Sequence, residues 1–279
     1  MFLPRCTLSA KPRTTAAAGG RVRVFREAAA SCALLLGALA SLLSAAAFAP
    51  TAAASPGESL YYGVEWRFIY AGNASVTLKR GPDHAESVSV HLQSAGLVSR
   101  LFTLDDNYYA QLNGDTFCAH TTELDAVEGK RRNHEIATFD YDRGKVAWNE
   151  HDLVKNVTKS GETELPAACT SDVVGGLYVL RGMQLQPGQS VQIPTSNGRK
   201  AANVRIEVQD REDVTTKLGT FHTLRCEAAI FNGVLYKRNA HMSIWLTDDA
   251  RHLPVQFRIR MPFVIGTITL QLEKEEHVD

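Results

Sequence analysis

The sequence predicts a mainly β protein: one large antiparallel sheet, curved into an open or half-closed barrel, with one short helix packed against it. Three observations carry this. Apolar residues recur at every second position over most of the chain, turn-forming residues interrupt them at short intervals, and a single stretch shows three- and four-residue spacing. In order, Tyr62, Val64, Trp66, Phe68 and Tyr70 share one face of a predicted strand, and Gly63, Glu65, Arg67 and Ile69 share the other. Gly72-Asn73 is expected to turn the chain into a second strand with Ala74, Val76 and Leu78 on one face. Val88, Val90 and Leu92 alternate with Ser87, Ser89, His91 and Gln93. Asp105-Asp106-Asn107, Leu112-Asn113-Gly114-Asp115, Val127-Glu128-Gly129-Lys130 and Asp140-Tyr141-Asp142-Arg143-Gly144 supply turn chemistry for the next strands.

The helix is expected between Ser171 and Met183, where Val173, Val174, Leu177, Tyr178 and Leu180 fall on one side. Thr170 or Ser171 can cap it, Asp172 suits its first turn, and Arg181-Gly182 suits its end. Gly175-Gly176 weakens the helix by about 1 kcal/mol per glycine relative to alanine, but lets it lie close to the sheet. Pro187-Gly188 then returns the chain to strands. Lys217-Leu218-Gly219 is a tight turn into a strand over residues 221–230, and Met242, Ile244 and Leu246 alternate with His241, Ser243, Trp245 and Thr247. Asp248–His252 is a loop, Leu253-Pro254 opens a strand with Val255, Phe257 and Ile259 on one face, and residues 266–272 close the sheet.

The other sequence signals set the compartment. Arg21, Arg23 and Arg26 precede a small-apolar run from Ala28 to Ala49, and Ala52-Ala53-Ala54 precede Ser55-Pro56-Gly57. A basic region, an apolar region and small residues before the junction form a secretory signal with cleavage after Ala54. Residues 1–54 are therefore leader and signal peptide, and 55–279 a single all-β domain without a linker or repeat. The protein is expected to be periplasmic, or membrane-tethered if the run stays attached, since roughly 18 apolar residues can span a bilayer.

The whole chain has 30 basic and 30 acidic residues, but the leader takes six of the basic ones and only Glu27 of the acidic. The remainder is mildly acidic, and its densest basic run, Lys130-Arg131-Arg132, reads as a solvated turn, so nucleic acid is not an expected partner. Outside the leader lie Cys118, Cys169 and Cys226. Cys226 shares a face with Leu224 and Ala228 and reads as a small buried hydrophobe, whereas Cys118 and Cys169 fall near element ends and are paired as a disulfide. A metal site is the rival assignment, without a close His pair or Cys-x-x-Cys to accompany it.

Ser171–Arg181, Leu218-Gly219-Thr220-Phe221 and Ile244–Val255 resemble the bacterial envelope family catalogued as domain of unknown function 3108, from about Tyr62 to Leu272. The chain departs from that pattern at Gly175-Gly176, where Ser-Ala-like residues are expected. The resemblance implies no activity and transfers no catalytic residue. The hairpin ending in Leu253-Pro254-Val255 is more loosely similar to periplasmic lipoprotein carriers of half-barrel type, which hold acyl chains between a curved sheet and a helical lid; this is analogy of fold.

Catalytic motifs are absent from the sequence: there is no G-x-S-x-G, H-E-x-x-H or glycine-rich phosphate loop, the histidines are scattered singly, and no metal or cofactor is expected. Asp248-Asp249 with Arg251 reads as an Asx-type turn and an ion pair. The aromatic stripe either packs as ordinary core or lines an apolar groove under the helix. The groove assignment names Tyr62, Trp66, Phe68, Val174, Leu177, Tyr178, Trp245 and Phe257. The expected function is a non-enzymatic envelope protein binding a lipid, acyl chain or other apolar ligand. The alternatives are an interaction protein with a packed core, meeting an envelope partner through its outer face or a sheet edge, and a hydrolase of envelope polymers.

Overall fold

The computed structural model describes residues 57–81, 85–262 and 266–278. The expected leader and its expected cleavage site after Ala54 lie outside the described residues. The strands are β1 (Glu58–Trp66), β2 (Ile69–Arg80), β3 (Ala85–Ser94), β4 (Leu104–Asn113), β5 (Ala119–Glu128), β6 (Arg131–Asp140), β7 (Lys145–Asp152) and β8 (Val157–Glu164), then β9 (Ser190–Ser196), β10 (Ala201–Thr216), β11 (Gly219–Ala228), β12 (His241–Thr247), β13 (Pro254–Arg260) and β14 (Thr267–His277). Helix α1 (Gly96–Leu101) joins β3 to β4, and α2 (Val173–Arg181) stands between β8 and β9. All strands form one 14-stranded sheet in the order β8-β7-β6-β5-β4-β3-β2-β1-β14-β13-β12-β11-β10-β9. Every ladder is antiparallel, as short connections require. The sheet is open, with β8 and β9 at its edges.

Several expectations are corrected. The stripe from Tyr62 to Tyr70 is not one strand face, because the chain reverses at Arg67-Phe68, with φ of 50° and 66°. Two consecutive left-handed residues make the two-residue hairpin turn that normally takes Asn-Gly. Gly72-Asn73 is instead inside β2, paired with Gln93 and Ser94. A Cβ on Gly72 would lie 2.0 Å from the Gln93 carbonyl oxygen, so this glycine serves close approach of strands. Asp105-Asp106-Asn107 also lies within a strand, β4, where Asp105 bonds His91 at 2.8 Å and Asp106 accepts the Val127 N–H at 3.1 Å. Beside the expected helix packed on the sheet, a second short helix, α1, stands in the β3–β4 connection.

Helix α2 is capped by Asp172, whose carboxylate accepts the N–H groups of Val174 and Gly175 at 2.9 Å each, rather than by Thr170 or Ser171. The chain reaches this cap through a strap, residues 165–172. Thr170 accepts the Ala119 N–H at 3.0 Å, and Ser171 bridges Thr195 of β9 in parallel. Cys118 and Cys169 form the disulfide, with Cα atoms 5.1 Å apart, tying the β4–β5 turn to the strap. A Cβ on Gly175 would meet the Phe117 carbonyl at 3.1 Å and the Asp172 carboxylate at 2.6 Å, so the helix can dock here only with glycine. Gly176 is less constrained: an added Cβ would meet Thr195 Oγ1 at 3.4 Å and Ile193 at 3.8 Å, which is ordinary contact.

Apolar side chains gather in three clusters. One lies between α2 and β9–β12 around Leu180, Ile193, Ile206 and Leu224; a second lies at the centre around Leu60, Tyr62, Trp245 and Leu272; a third holds Leu78, Val88, Leu112 and Tyr178. Cys226 is fully buried in the first, and burial pushes its thiol up to about 12.

Candidate functional site

Under α2 the sheet leaves a half-enclosed cavity of about 240 Å3. Its floor is made of inward-facing residues in register across neighbouring strands. Leu92, Ala74 and Tyr62 form one row over β3, β2 and β1, and Ile206, Ala228, Met242 and Ile259 form another over β10 to β13. Val173, Val174, Gly176, Leu177 and Leu180 of α2 close the roof. Among the described residues, Tyr62 and Thr195 alone bring side-chain hydroxyls to this lining. Both are turned to backbone: the Tyr62 hydroxyl donates to the Pro254 carbonyl at 2.8 Å, and Thr195 Oγ1 donates to the Ile193 carbonyl at 3.0 Å. Burial pushes the Tyr62 phenol well above its ordinary value, so it stays neutral. The cavity wall therefore offers almost nothing to water.

A second cavity, about 460 Å3, adjoins the first and shares Val90, Val173 and Val174 with it. Its chemistry is different, since Tyr108, Thr122, Glu135, Asn149, Asn197, Arg199 and Tyr236 contribute polar groups. Arg199, on the β9–β10 turn, pairs with Glu150 and lies 3.7 Å from Glu135, with its guanidinium 4.9 Å from the Trp148 ring centre. Burial raises the Glu135 carboxyl above its ordinary value, against the pull of Arg199. This cluster holds the β9 edge against β6 and β7, with one guanidinium between two carboxylates.

The eight residues named from sequence separate into two sets. Tyr62, Val174, Leu177 and Phe257 line the dry cavity, with Tyr62 and Phe257 packed edge to face at 5.6 Å. Tyr178 does not; it is buried on the other side of α2, stacked on Phe117 at 5.5 Å. Trp245 points away from its neighbour Ile244, donates to Glu212 at 2.6 Å and lies under the Arg258 guanidinium. Trp66 is half-buried at the end of β1, and Phe68 is 96% exposed at the hairpin tip; neither lines the apolar cavity. Missing from that set were Ile193, Val204 and Ile206 on the far wall, whose signal was the alternation of β9 and β10. Asp248, Asp249 and Arg251 do form a loop: Asp249 accepts the Arg251 N–H at 2.9 Å, Asp248 pairs with Arg211, and Arg251 with Glu275. The strand register also joins Glu123, Asp125 and His134 on an exposed surface, with His134 Nδ1 2.7 Å from Asp125.

Asp172 connects site to fold. Besides its two backbone bonds it accepts the Tyr108 hydroxyl at 2.6 Å, so it anchors the helix that roofs the cavity to β4. Replacing it with alanine removes the cap and orphans a buried hydroxyl, and is expected to cost roughly 2–3 kcal/mol in urea unfolding. Burial raises the Asp172 carboxyl, against these hydrogen bonds. A folded-state value above the unfolded one means that the native protein binds more protons in that window. Stability is then highest below the unfolded carboxyl range and declines as pH rises through the folded value. Asp172→Asn is expected to flatten that decline while keeping the cap.

The family described as "Protein of unknown function (DUF3108)" matches residues 60–273, nearly all of the β domain. The chain belongs to this family. Among solved structures, this DUF3108 chain is similar to a beta-barrel-like protein of domain of unknown function DUF1849 from Brucella abortus. The TM-score is 0.56 at 9% identity, covering 80% of this chain and 98% of that one. That likeness shows the fold. A putative exported protein with YmcC-like fold from Bacteroides fragilis matches with TM-score 0.30 at 7% identity, over 80% and 96% of the two chains. A putative lipoprotein from Parabacteroides distasonis matches with TM-score 0.29 at 8% identity, over 80% and 96%. No curated protein matches the chain. No helix among the described residues is long and apolar enough to cross a membrane.

Proposed function

We propose that this DUF3108 protein is an exported, non-enzymatic carrier or sensor that holds an apolar chain between the curved sheet and α2. The observation that carries the reading is the dry cavity, whose two hydroxyls are already spent on backbone carbonyls. A lining of this kind favours hydrocarbon over water, because nothing in it replaces a water molecule's hydrogen bonds. A cavity of roughly 150 Å3 admits benzene, so one of 240 Å3 has room for about ten carbon atoms. The adjoining polar cavity would take the other end of an amphiphile. Export rests on the basic, apolar and small-residue segments of the leader. The interaction-protein reading requires a filled core, which this cavity weighs against. The hydrolase reading would use Glu135 and Glu150, both of which lie beside Arg199 of the polar cavity.

Native mass spectrometry of protein purified from the cells that make it, followed by organic extraction, tests this. A stoichiometric co-purifying amphiphile, displaced by a fluorescent medium-chain fatty acid, is the expected result. Ala74→Phe projects a ring into the cavity and is expected to weaken probe uptake at least about tenfold with modest cost in stability. An apo mass with no probe uptake by the parent protein would overturn the reading.

A further inference from the structure

Successive connections of an antiparallel meander alternate between the two ends of its strands. At one end lie the β1–β2 turn, α1, the β5–β6 turn, the β7–β8 turn, the β9–β10 turn, the β11–β12 loop and the ends of β13 and β14. They are physically joined. Arg67 donates its N–H to Thr267 at 3.1 Å, and Arg238 reaches Met261 Sδ at 3.6 Å. The Tyr70 ring lies against Gly96 at the start of α1. Gly129 donates to the Thr103 carbonyl at 2.7 Å, and Leu153 to the Arg132 carbonyl at 2.8 Å. The result is one continuous rim.

The rim has a composition unlike the rest of the domain. Beyond the leader the chain is acidic overall, yet the described residues of these connections contain Arg67, Arg100, Lys130, Lys155, Arg199, Lys200, Lys237 and Arg238, and no Asp or Glu. Arg100, Lys130, Lys237 and Arg238 have no carboxylate partner within 4.0 Å among the described residues, while Lys155 pairs with Asp152 and, just inside the rim, Arg131 with Glu128. At the opposite end the turns are mixed, carrying Asp115, Asp142, Asp248 and Asp249 beside Arg143, Lys217 and Arg251. Between the rim's cations stand large apolar side chains open to solvent: Phe68 at 96%, Leu101 at 78%, Leu97 at 66% and Val154 at 60%. Helix α1 buries none of its residues. Phe68 also occupies a left-handed backbone position, where a phenylalanine is strained and an asparagine or glycine would not be.

We infer that this rim is a docking surface for a lipid bilayer bearing anionic headgroups. Cations interleaved with phenylalanine and leucine are the pattern that partitions into the headgroup region, where the side chains enter the acyl boundary and the charges stay with phosphate. The charge complementarity runs opposite to the domain's net charge, so solubility alone does not account for it. The polar cavity is bounded in part by Tyr236 of the β11–β12 loop, which places the proposed ligand site next to this surface. The inference stands apart from the ligand reading, because it depends on no cavity residue.

The test uses the protein as its own cells release it, with vesicles of phosphatidylcholine alone or mixed with phosphatidylglycerol. Binding to the anionic vesicles only is expected, and Arg100→Glu with Lys130→Glu should weaken it by about tenfold or more. Tryptophan placed at Phe68 should be quenched by bromine on the acyl chains, after correction for the parent's own tryptophans. Tryptophan placed at Leu218, exposed on a turn at the other end, should not be quenched. Equal binding to both vesicles, binding unaffected by the charge reversals, or equal quenching at the two positions would overturn the inference. A cavity variant such as Ala74→Phe should bind vesicles like the parent, which separates this outcome from failure of the ligand reading.

Discussion

Arg181→Ala is expected to remove about 3–5 kcal/mol of stability, and Glu58→Ala a similar amount. Both residues are 1% exposed, and they meet through two parallel N–H to carboxylate contacts, of which Arg181 Nη2 to Glu58 Oε2 is 3.1 Å. The guanidinium also lies 5.0 Å from the Tyr178 ring centre, and its Nε faces the Arg251 carbonyl at 3.4 Å. The Arg181 carbonyl accepts from His252 Nδ1 at 2.8 Å, so the last residue of α2 is held by β1 and by the β12–β13 loop together. Removing one partner leaves the other charged, buried and unmatched, which is far more costly than the net worth of the intact pair. Exchanging both for methionine should therefore restore much of the loss. Urea unfolding of the four proteins checks this. The midpoints should fall for the single variants and recover in the double, at constant denaturant slope. A single variant within about 1 kcal/mol of the parent would show that the pair is solvated in solution. Because the pair fixes the C-terminal end of the cavity's roof, the single variants should also bind the fatty-acid probe more weakly.

How much of this was legible in the sequence follows from the range of each interaction. Period-two alternation gave the strands, and α2 was readable because Val173, Val174, Leu177 and Leu180 repeat at helical spacing. The hairpin at Arg67-Phe68 was hidden because neither residue belongs to the chemistry that such a turn ordinarily uses. The same violation of local preference that concealed the turn marks the rim as a surface under some other demand. Gly72 misled for the opposite reason: its lack of a side chain serves a neighbouring strand, not a bend. Asp105–Asn107 misled because an exposed strand can be as polar as a loop when its partners, here His91 and the Val127 N–H, lie across the sheet. The Glu58–Arg181 pair spans 123 residues and leaves no local trace. The cavity floor was half-visible: alternation identifies which residues face inward, but not which inward-facing residues are left uncovered. Trp245 shows the limit of counting aromatics, since its strand parity sends it away from Ile244 and the cavity.

Reducing the Cys118–Cys169 disulfide, or exchanging both residues for serine, is expected to cost about 4 kcal/mol, since the bridge closes a loop of 51 residues in the unfolded chain. That corresponds to a fall of about 2 M in the urea midpoint for a denaturant slope near 2 kcal/mol per M. The effect should not be confined to the unfolded state. The bridge pins the strap immediately before Asp172, and Phe117, beside Cys118, stacks on Tyr178 of α2. Cutting it frees the N-terminal approach to the helix that roofs the dry cavity, while the Arg181–Glu58 pair still holds the other end. The reduced protein should therefore lose affinity for the fatty-acid probe at urea concentrations where its sheet remains folded. Cys226 supplies an internal control: buried, with its thiol pushed up to about 12, it should resist alkylation in the native protein and react only as the sheet unfolds. Following alkylation of Cys226 alongside probe binding then distinguishes a loosened roof from global unfolding. If reduction lowers both together, the bridge acts only on overall stability. If probe binding fails first, the disulfide holds the roof in place over the cavity.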